Sequence, residues 1–253
     1  MVVVLPSAAR TDYADALRPH RHKLNPMFVP ILDQLQYIMA KVDELSLLSG
    51  KDGNTAEGEG KKAIFEVFLD KGRESEESKE SPWIVPKSQI VDECASMQFA
   101  GSDTVGNAFM VATFHLLKSR LALIKLRREL DGLEEEKVNF EALEKLPYLT
   151  AVIKESLRLS HGVASSLPRV VGSSGSTIAG PHVPPGTVVS CASYVVHTNP
   201  SIFPDSHEFI PERWLDNREL EKYLVAFSQG TRLCLGINLT WCELYLLFGN
   251  IFR

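Results

Sequence analysis

The chain has 253 residues, of which 44% are hydrophobic, and a formal net charge of −5, a composition typical of a globular, core-forming protein. The slight acidity gives no reason to expect nucleic-acid binding, which leaves a basic footprint. The cysteines (Cys94, Cys191, Cys234 and Cys242) form no Cys-x-x-Cys pair, so neither a zinc site nor a disulfide scaffold is expected. The apolar stretch at residues 1–5 is too short to cross a bilayer or to act as a signal peptide.

The first third of the chain is predicted to contain helices joined by polar loops. Residues 11–23 form a basic helix, and apolar residues recur at helical spacing over residues 31–45. A glycine-rich polar loop follows at residues 51–60, and then a short helix at residues 61–69. Residues 73–82 are charged and rich in serine, which indicates a solvated surface loop.

The rest of the chain is predicted to be mostly helical with one small β part. A long helix runs from about residue 88 to 119, more helix continues to about 130, and another spans about 146–159. β-branched runs broken by glycine and proline over residues 177–193 indicate short strands and turns. The sequence therefore predicts a mainly α fold with a small β-sheet, in a single domain covering residues 1–253.

Cys234 lies in a short segment, the Cys loop (residues 227–236), with four other residues at fixed offsets: Phe227, Gly230, Arg232 and Gly236. The glycines let the backbone bend tightly and pass close to a flat ring, and the arginine can bind a carboxylate of that ring through paired hydrogen bonds. A cysteine thiolate that ligates haem iron favours splitting of an O–O bond. The alternative is an ordinary buried thiol, but these offsets favour the haem ligand.

A small-residue segment, Ala100-Gly101-Ser102-Asp103-Thr104, lies in the middle of the predicted long helix. Small side chains let a large group approach the helix, and an acid beside an alcohol can relay protons. The alternative is that Ala100 and Gly101 serve helix packing and that Asp103 is simply solvated.

Glu155 and Arg158 are three residues apart, so they lie on one face of a predicted helix. Most of their neighbours are apolar, and a buried charge pair requires further hydrogen bonds. The later segment Pro-Glu-Arg-Trp supplies Arg213 as a third member. His197 is interpreted as a hydrogen bonder that anchors a loop rather than as a metal ligand.

In their order along the chain, from residue 100 to the Cys loop, the motifs resemble those of the cytochrome P450 family. The Cys loop matches Phe-x-x-Gly-x-Arg-x-Cys-x-Gly at every defined position. Residues 100–104 match Ala/Gly-Gly-x-Asp/Glu-Thr-Thr/Ser, except that Val105 stands at the last position. The family's Glu-x-x-Arg pair and later arginine, which form a buried structural network, correspond to Glu155, Arg158 and Arg213. The overall pattern resembles filamentous-fungal members of secondary metabolism and aromatic-ring hydroxylation.

The resemblance implies a haem-thiolate monooxygenase that inserts one oxygen atom from O₂ into an organic, apolar substrate of secondary-metabolite or aromatic type. Its cofactor is haem b, and its electrons come from NADPH through a flavoprotein reductase. Cys234 is then the axial ligand of the iron, and Asp103 and Thr104 deliver protons. Arg232 in the Cys loop, Arg169 after the Glu-x-x-Arg helix and Arg21 in an early segment then bind the propionates, although Leu17 replaces a tryptophan of the early motif. The alternative for Arg169 and Arg21 is an ordinary surface arginine.

The chain is much shorter than the family, so an incomplete cytochrome P450 fold is expected. The missing parts are N-terminal helices with the membrane anchor, part of the central helices and the C-terminal hairpin. Full-length members are expected at the cytosolic face of the endoplasmic reticulum membrane, and this anchorless form in the cytosol. Two alternatives are a truncated, non-catalytic remnant with weak or no haem binding and a helical interaction protein whose motif matches are coincidental.

Overall fold

The computed structural model describes Tyr37, Ile38, Ala40 and residues 87–134 and 138–253. The first three are helical, as the pattern over 31–45 predicts; the other predictions before residue 87, and Arg21 with them, lie outside the described residues. The chain divides into two compact units, residues 1–100 and 101–253. The single domain expected from the sequence stays a prediction.

Four helices occupy the described residues between positions 87 and 160: α1 (Lys87–Lys118), α2 (Arg120–Leu130), α3 (Phe140–Leu143) and α4 (Pro147–Ser160). Ser119 separates α1 from α2, and its side chain accepts a hydrogen bond from the N–H of Ala122 at 3.4 Å. Serine is favoured at this position because its oxygen satisfies one of the donors at a helix start. In the first unit, burial raises the pKa of the Cys94 thiol on α1 to about 11.

The remaining elements are short strands, short helices and one long helix: β1 (Leu167–Val170), β2 (Ser176–Thr177), β3 (His182–Val183), β4 (Val188–Cys191), α5 (Ser193–His197), α6 (Arg213–Asp216), two 3₁₀ helices (Arg218–Tyr223 and Gly230–Arg232) and α7 (Ile237–Ile251). The strands form two antiparallel pairs, β1 with β4 and β2 with β3. Leu167 lies opposite Cys191 in the first pair, and Ser176 lies opposite Val183 in the second.

The main core of the second unit is built from α1, α2, α4 and α7. Ala108 and Ala112 are completely buried on α1, and such small side chains let a neighbouring helix approach closely. The rings of Phe109 on α1 and Phe248 on α7 lie 4.9 Å apart. α7, which follows the Cys loop directly, is thus packed firmly into this core.

The start of α4 is stabilised from a different helix. α4 begins at Pro147 without a side-chain cap of its own. The Glu129 carboxylate on α2 accepts the N–H groups of Tyr148 and Leu149, at 2.9 and 2.8 Å. Two of the unpaired donors at the helix N-terminus are satisfied in this way, which fixes the position of the helix that carries Glu155 and Arg158.

The structure confirms the mainly helical fold with a small antiparallel β part. The predicted helices at 88–119, up to 130 and at 146–159 begin and end within two residues of the observed bounds. Strand β1 and the four-residue helix α3 were not predicted. None of the helices in the described part of the chain combines the length and the hydropathy needed to cross a membrane.

Candidate functional site

Backbone hydrogen bonds hold the Cys loop in a tight turn. The Cys234 N–H donates to the Phe227 carbonyl at 2.9 Å, and the Leu233 N–H donates to the Gly230 carbonyl at 3.1 Å. Gly230 has φ = 79°, a conformation that residues with a Cβ rarely adopt. The rings of Phe227, at the start of the loop, and Trp241, on α7, lie 6.3 Å apart, so this ring contact joins the loop to α7.

Cys234 is exposed and stands between two exposed apolar residues in the sequence. The residue is an exposed free cysteine, and its neighbours Leu233 and Leu235 are 41% and 101% exposed. A Cβ at Gly236 would lie 3.8 Å from the sulfur, so the glycine leaves additional space on that side. α7 begins at Ile237, and the unpaired N–H groups of a helix start favour negative charge nearby.

These residues fit a haem. Among the described residues, no group of three or more His, Cys, Asp or Glu side chains could hold a metal ion. A lone thiolate such as that of Cys234 is a protein ligand with which haem iron can be bound. The exposed leucines on both sides of the cysteine offer the apolar surface that a haem ring requires.

The arginines predicted to bind propionates occupy different elements. Arg232 ends a 3₁₀ helix within the Cys loop and is exposed. Arg169 is exposed on β1, where it lies opposite Val189, and its guanidinium donates to the carbonyl of Pro168 at 2.8 Å. Arg21 lies outside the described residues. The predicted contacts of all three arginines with propionates stay predictions.

Asp103 and Thr104 follow each other on α1, where Asp103 is exposed and Thr104 is half-buried. A Cβ at Gly101 would meet no atom of the described residues within 4 Å. Val105 is 5% exposed and belongs to the hydrophobic core. The departure from the family motif at this position thus places an apolar side chain in the core, while proton delivery by the preceding two residues stays a prediction.

Glu155 is the centre of a buried network on α4. Its carboxylate has no exposed surface and accepts hydrogen bonds from both Nε and Nη2 of Arg158, at 2.9 and 2.8 Å. It also accepts Nε of Arg213 at 3.1 Å, the N–H of Ile210 at 2.9 Å and the indole N–H of Trp214 at 2.8 Å. The structure therefore brings Glu155, Arg158 and Arg213 into direct contact, with the additional hydrogen bonds that a buried charge requires.

Arg158 uses its guanidinium to tie several chain segments together. Besides the two bonds to Glu155, it donates to the carbonyls of His197, Ser206 and Glu208, the last at 3.0 Å. Its five N–H groups are thereby all engaged. The guanidinium also lies over the ring of Phe203, with 5.2 Å between its carbon and the ring centroid.

Trp214 and His197 also take part in this network. The sequence shows Trp214 only as part of the Pro-Glu-Arg-Trp segment and predicts no role for it, yet its indole N–H donates to Glu155. A tryptophan beside a predicted core arginine is the signal that indicates this contact. His197 was predicted to anchor a loop, and it does so: its Nε2 accepts the N–H of Val225 at 3.0 Å.

Comparison with known proteins agrees with this geometry. A family model described as "Cytochrome P450" matches residues 19–253. "Cytochrome P450 monooxygenase BOT1" of Botryotinia fuckeliana is 45% identical over 166 residues, which are 64% of this chain and 32% of that protein. "Cytochrome P450 monooxygenase astB" of Aspergillus terreus is 40% identical over 170 residues, 64% of this chain and 33% of that protein. "Cytochrome P450 monooxygenase aneF" of Aspergillus aculeatus is 34% identical over 206 residues, 79% and 40% respectively.

The chain spans between 32% and 40% of the length of these three relatives. The family model, in contrast, covers nearly the whole chain, and it includes both the Cys loop and the Glu155 network. The chain therefore belongs to the cytochrome P450 family.

Proposed function

We propose that this chain carries the haem-thiolate centre of a monooxygenase that inserts one atom of O₂ into an apolar organic substrate. The observation that carries the proposal is the exposed thiol of Cys234, held in a hydrogen-bonded turn between two exposed leucines. A haem bound there would supply activation of O₂, and thiolate ligation favours cleavage of the O–O bond.

The protein's own residues have three tasks in this proposal. Cys234 supplies the sulfur ligand, and the turn that holds it fixes its direction. Arg232 and Arg169 expose guanidinium groups that suit carboxylates, and Arg21 has the same role by resemblance. Asp103, which is exposed on α1, exchanges protons with solvent, and the adjacent Thr104 passes them on.

The partners are proposed from the family. Electrons come from NADPH through a flavoprotein reductase that docks on the Cys234 side. The relatives from Botryotinia and Aspergillus are named monooxygenases, and their fungal origin supports a secondary metabolite or aromatic compound as the substrate class. Attachment to the cytosolic face of the endoplasmic reticulum belongs to the same proposal.

Haem ligation is tested by spectroscopy on the purified 253-residue chain. The protein is reconstituted with haem, reduced and exposed to carbon monoxide, and the Soret band is recorded. We expect the strongly red-shifted band of thiolate-ligated haem. Cys234→Ala should abolish it, whereas Cys191→Ala, which removes another exposed cysteine, should leave it intact. A red-shifted band that survives in Cys234→Ala would refute the ligand assignment.

Catalysis requires a separate measurement. NADPH consumption is followed with a fungal reductase and a panel of apolar aromatic compounds, and hydroxylated product is quantified. Product formation that is lost in Cys234→Ala supports the monooxygenase. A thiolate-type band without product from any compound would instead support the non-catalytic alternative, in which the chain binds haem but does not turn over.

A further inference from the structure

His197 is a completely buried histidine that touches two parts of the site at once. Its backbone carbonyl accepts a hydrogen bond from Nη1 of Arg158 at 2.8 Å, and its side-chain Nε2 accepts one from the N–H of Val225 at 3.0 Å. Val225 lies two residues before Phe227, whose carbonyl accepts the Cys234 N–H. A short series of contacts thus connects the buried guanidinium to the turn that carries the thiol.

The chain segment just before the Cys loop is also fixed from a second direction. Gly162 has φ = 58°, and a Cβ built on it would lie 2.7 Å from the carbonyl oxygen of Ala226. The two backbones therefore touch with no room for a side chain. The Val225 carbonyl accepts the N–H of Ser228 at 3.0 Å, and this bond carries the anchored geometry into the turn.

We propose that His197 is a positioning residue for the haem-thiolate ligand, holding the approach to the Cys loop in register with the Glu155–Arg158 network. The inference rests on the proposed haem-thiolate function and assigns this role to a residue outside the loop itself. The imidazole accepts the N–H of Val225, two residues before the Cys loop begins. A neutral side chain therefore holds the backbone at the point where the loop starts.

The role requires a neutral imidazole, because a protonated Nε2 cannot accept a hydrogen bond. Burial, with the neighbouring His161 and Arg158 as further causes, lowers the pKa of His197 to about 4. Glu155 acts in the opposite direction but does not outweigh them. The His161 ring stacks on His197 with 5.8 Å between centroids, and at neutral pH the neutral imidazole can accept the Val225 N–H.

The test compares His197→Leu, which removes the acceptor, with His197→Gln, whose amide oxygen can replace it. The control is Phe203→Leu: Phe203 is completely buried and its ring centroid lies 6.4 Å from that of His197, so this variant weakens the same core without removing the hydrogen bond. The three variants and the unmodified full chain are reconstituted with haem. Haem loss to an apo-globin acceptor and the Soret band of the reduced carbon monoxide form are measured.

We expect His197→Leu to lose haem about tenfold faster, in the range known for residues that orient metal ligands, and to show part of its Soret band shifted away from the thiolate position. His197→Gln should recover most of both properties, and Phe203→Leu should keep the thiolate band. If His197→Leu and Phe203→Leu have the same band and the same rate of haem loss, the positioning role is excluded and His197 is only part of the core.

A second readout does not depend on haem. Hydrogen exchange is measured on the haem-free full chain, and His197→Leu should raise the exchange rate of the amides from Val225 to Cys234 by about fivefold, because a backbone N–H loses its partner. Phe203→Leu should not raise exchange there selectively. Unchanged exchange in His197→Leu overturns the inference even if the unmodified chain gives a thiolate band. Faster exchange supports the inference even if no such band forms, and in that case only the proposed function fails.

Discussion

Glu155 shows at the residue scale how a buried charge is made tolerable. The carboxylate accepts five hydrogen bonds and has no exposed surface. Glu155→Gln keeps the shape but leaves the cations of Arg158 and Arg213 buried without their counter-charge. We expect the free energy of unfolding, measured by urea titration at neutral pH, to fall by about 3–5 kcal/mol.

The matched control for this prediction is Glu221→Gln. Glu221 pairs with Lys154 at 2.6 Å, but its side chain is 53% exposed. Exposed ion pairs contribute little, so this variant should lose less than about 1 kcal/mol. Equal losses in the two variants would contradict the structural role assigned to the Glu155 network.

His197 makes a second prediction at this scale, which concerns acid stability. Burial lowers its pKa from 6.5 to about 4 in the folded chain. In the unfolded chain this side chain therefore binds a proton as pH falls below about 6.5, whereas in the folded chain His197 stays neutral down to about pH 4. His197 thus contributes stability at neutral pH, and this contribution is lost as pH falls through that window.

His197→Gln removes the proton uptake altogether. Between pH 7 and pH 4 the variant should lose about 3 kcal/mol less free energy of unfolding than the unmodified chain. Urea titrations at several pH values measure both curves. Because the carboxylates titrate alike in the two proteins, only the difference between the curves reports on the histidine, and parallel curves would show that its pKa is not lowered.

At the scale of elements, the long helices were predictable because each has a sustained apolar periodicity. Helix α4 was predicted to within one or two residues of its observed bounds, Pro147–Ser160. Strand β1 was not predicted, because it contains Pro168 and depends on pairing with β4, about twenty residues later. The four-residue helix α3 is too short to show a periodicity. Local patterns thus predicted the helices with a sustained apolar periodicity and missed a strand that contains a proline and a helix too short to show a periodicity.

Gly162 illustrates how a single residue after α4 fixes the distance between two elements. Its φ is 58°, and an added Cβ would lie 2.7 Å from the Ala226 carbonyl oxygen. Gly162→Ala therefore carries both backbone strain and a steric clash. Gly186 has φ = 78°, and no atom of the described part of the chain lies within 4 Å of an added Cβ, so Gly186→Ala carries the strain alone, about 1–2 kcal/mol.

We expect Gly162→Ala to lose about 1–3 kcal/mol more than Gly186→Ala, because the clash forces the backbone apart. The free energy of unfolding measures the stability of both variants, and haem titration measures their affinity. Only Gly162→Ala should also bind haem more weakly, since it displaces the segment before the Cys loop. Equal stability and equal haem affinity in the two variants would mean that the contact with Ala226 is not a constraint.

At the scale of the whole molecule, the candidate site combines local and long-range features. The glycine, arginine and cysteine offsets of the Cys loop are local, so the sequence predicted them directly. The anchors of that loop are not local: His197 and Val225 are 28 residues apart, and Arg158 and His197 are 39 residues apart. Such pairings are set by the packing of α4 against the segments that follow it. No local sequence pattern indicates them, because the partners meet only in the folded chain.

An exposed apolar surface remains on the second unit. The side chains that form it, here called the apolar stripe, recur at helical spacing along α1 and α2 and are 45–68% exposed: Met110, Phe114, Leu117, Leu121 and Ile124. The backbone hydrogen bonds continue through Ser119 from His115 to Leu123, so the stripe is continuous. Contiguous exposed apolar surface promotes association, which predicts that the isolated chain self-associates.

The double variant Leu117→Gln, Leu121→Gln tests this prediction by interrupting the stripe at its centre. Because both side chains are already more than 60% exposed, the free energy of unfolding should change by less than about 1 kcal/mol. Each leucine forfeits roughly 1.5–3 kcal/mol of burial in an associated state, so sedimentation velocity should show association weakened at least about tenfold. The control variant Val170→Gln, Val195→Gln changes apolar residues of similar exposure outside the stripe and should associate like the unmodified chain. If the unmodified chain is monomeric at every concentration, or if both double variants associate equally, the stripe is not what drives association.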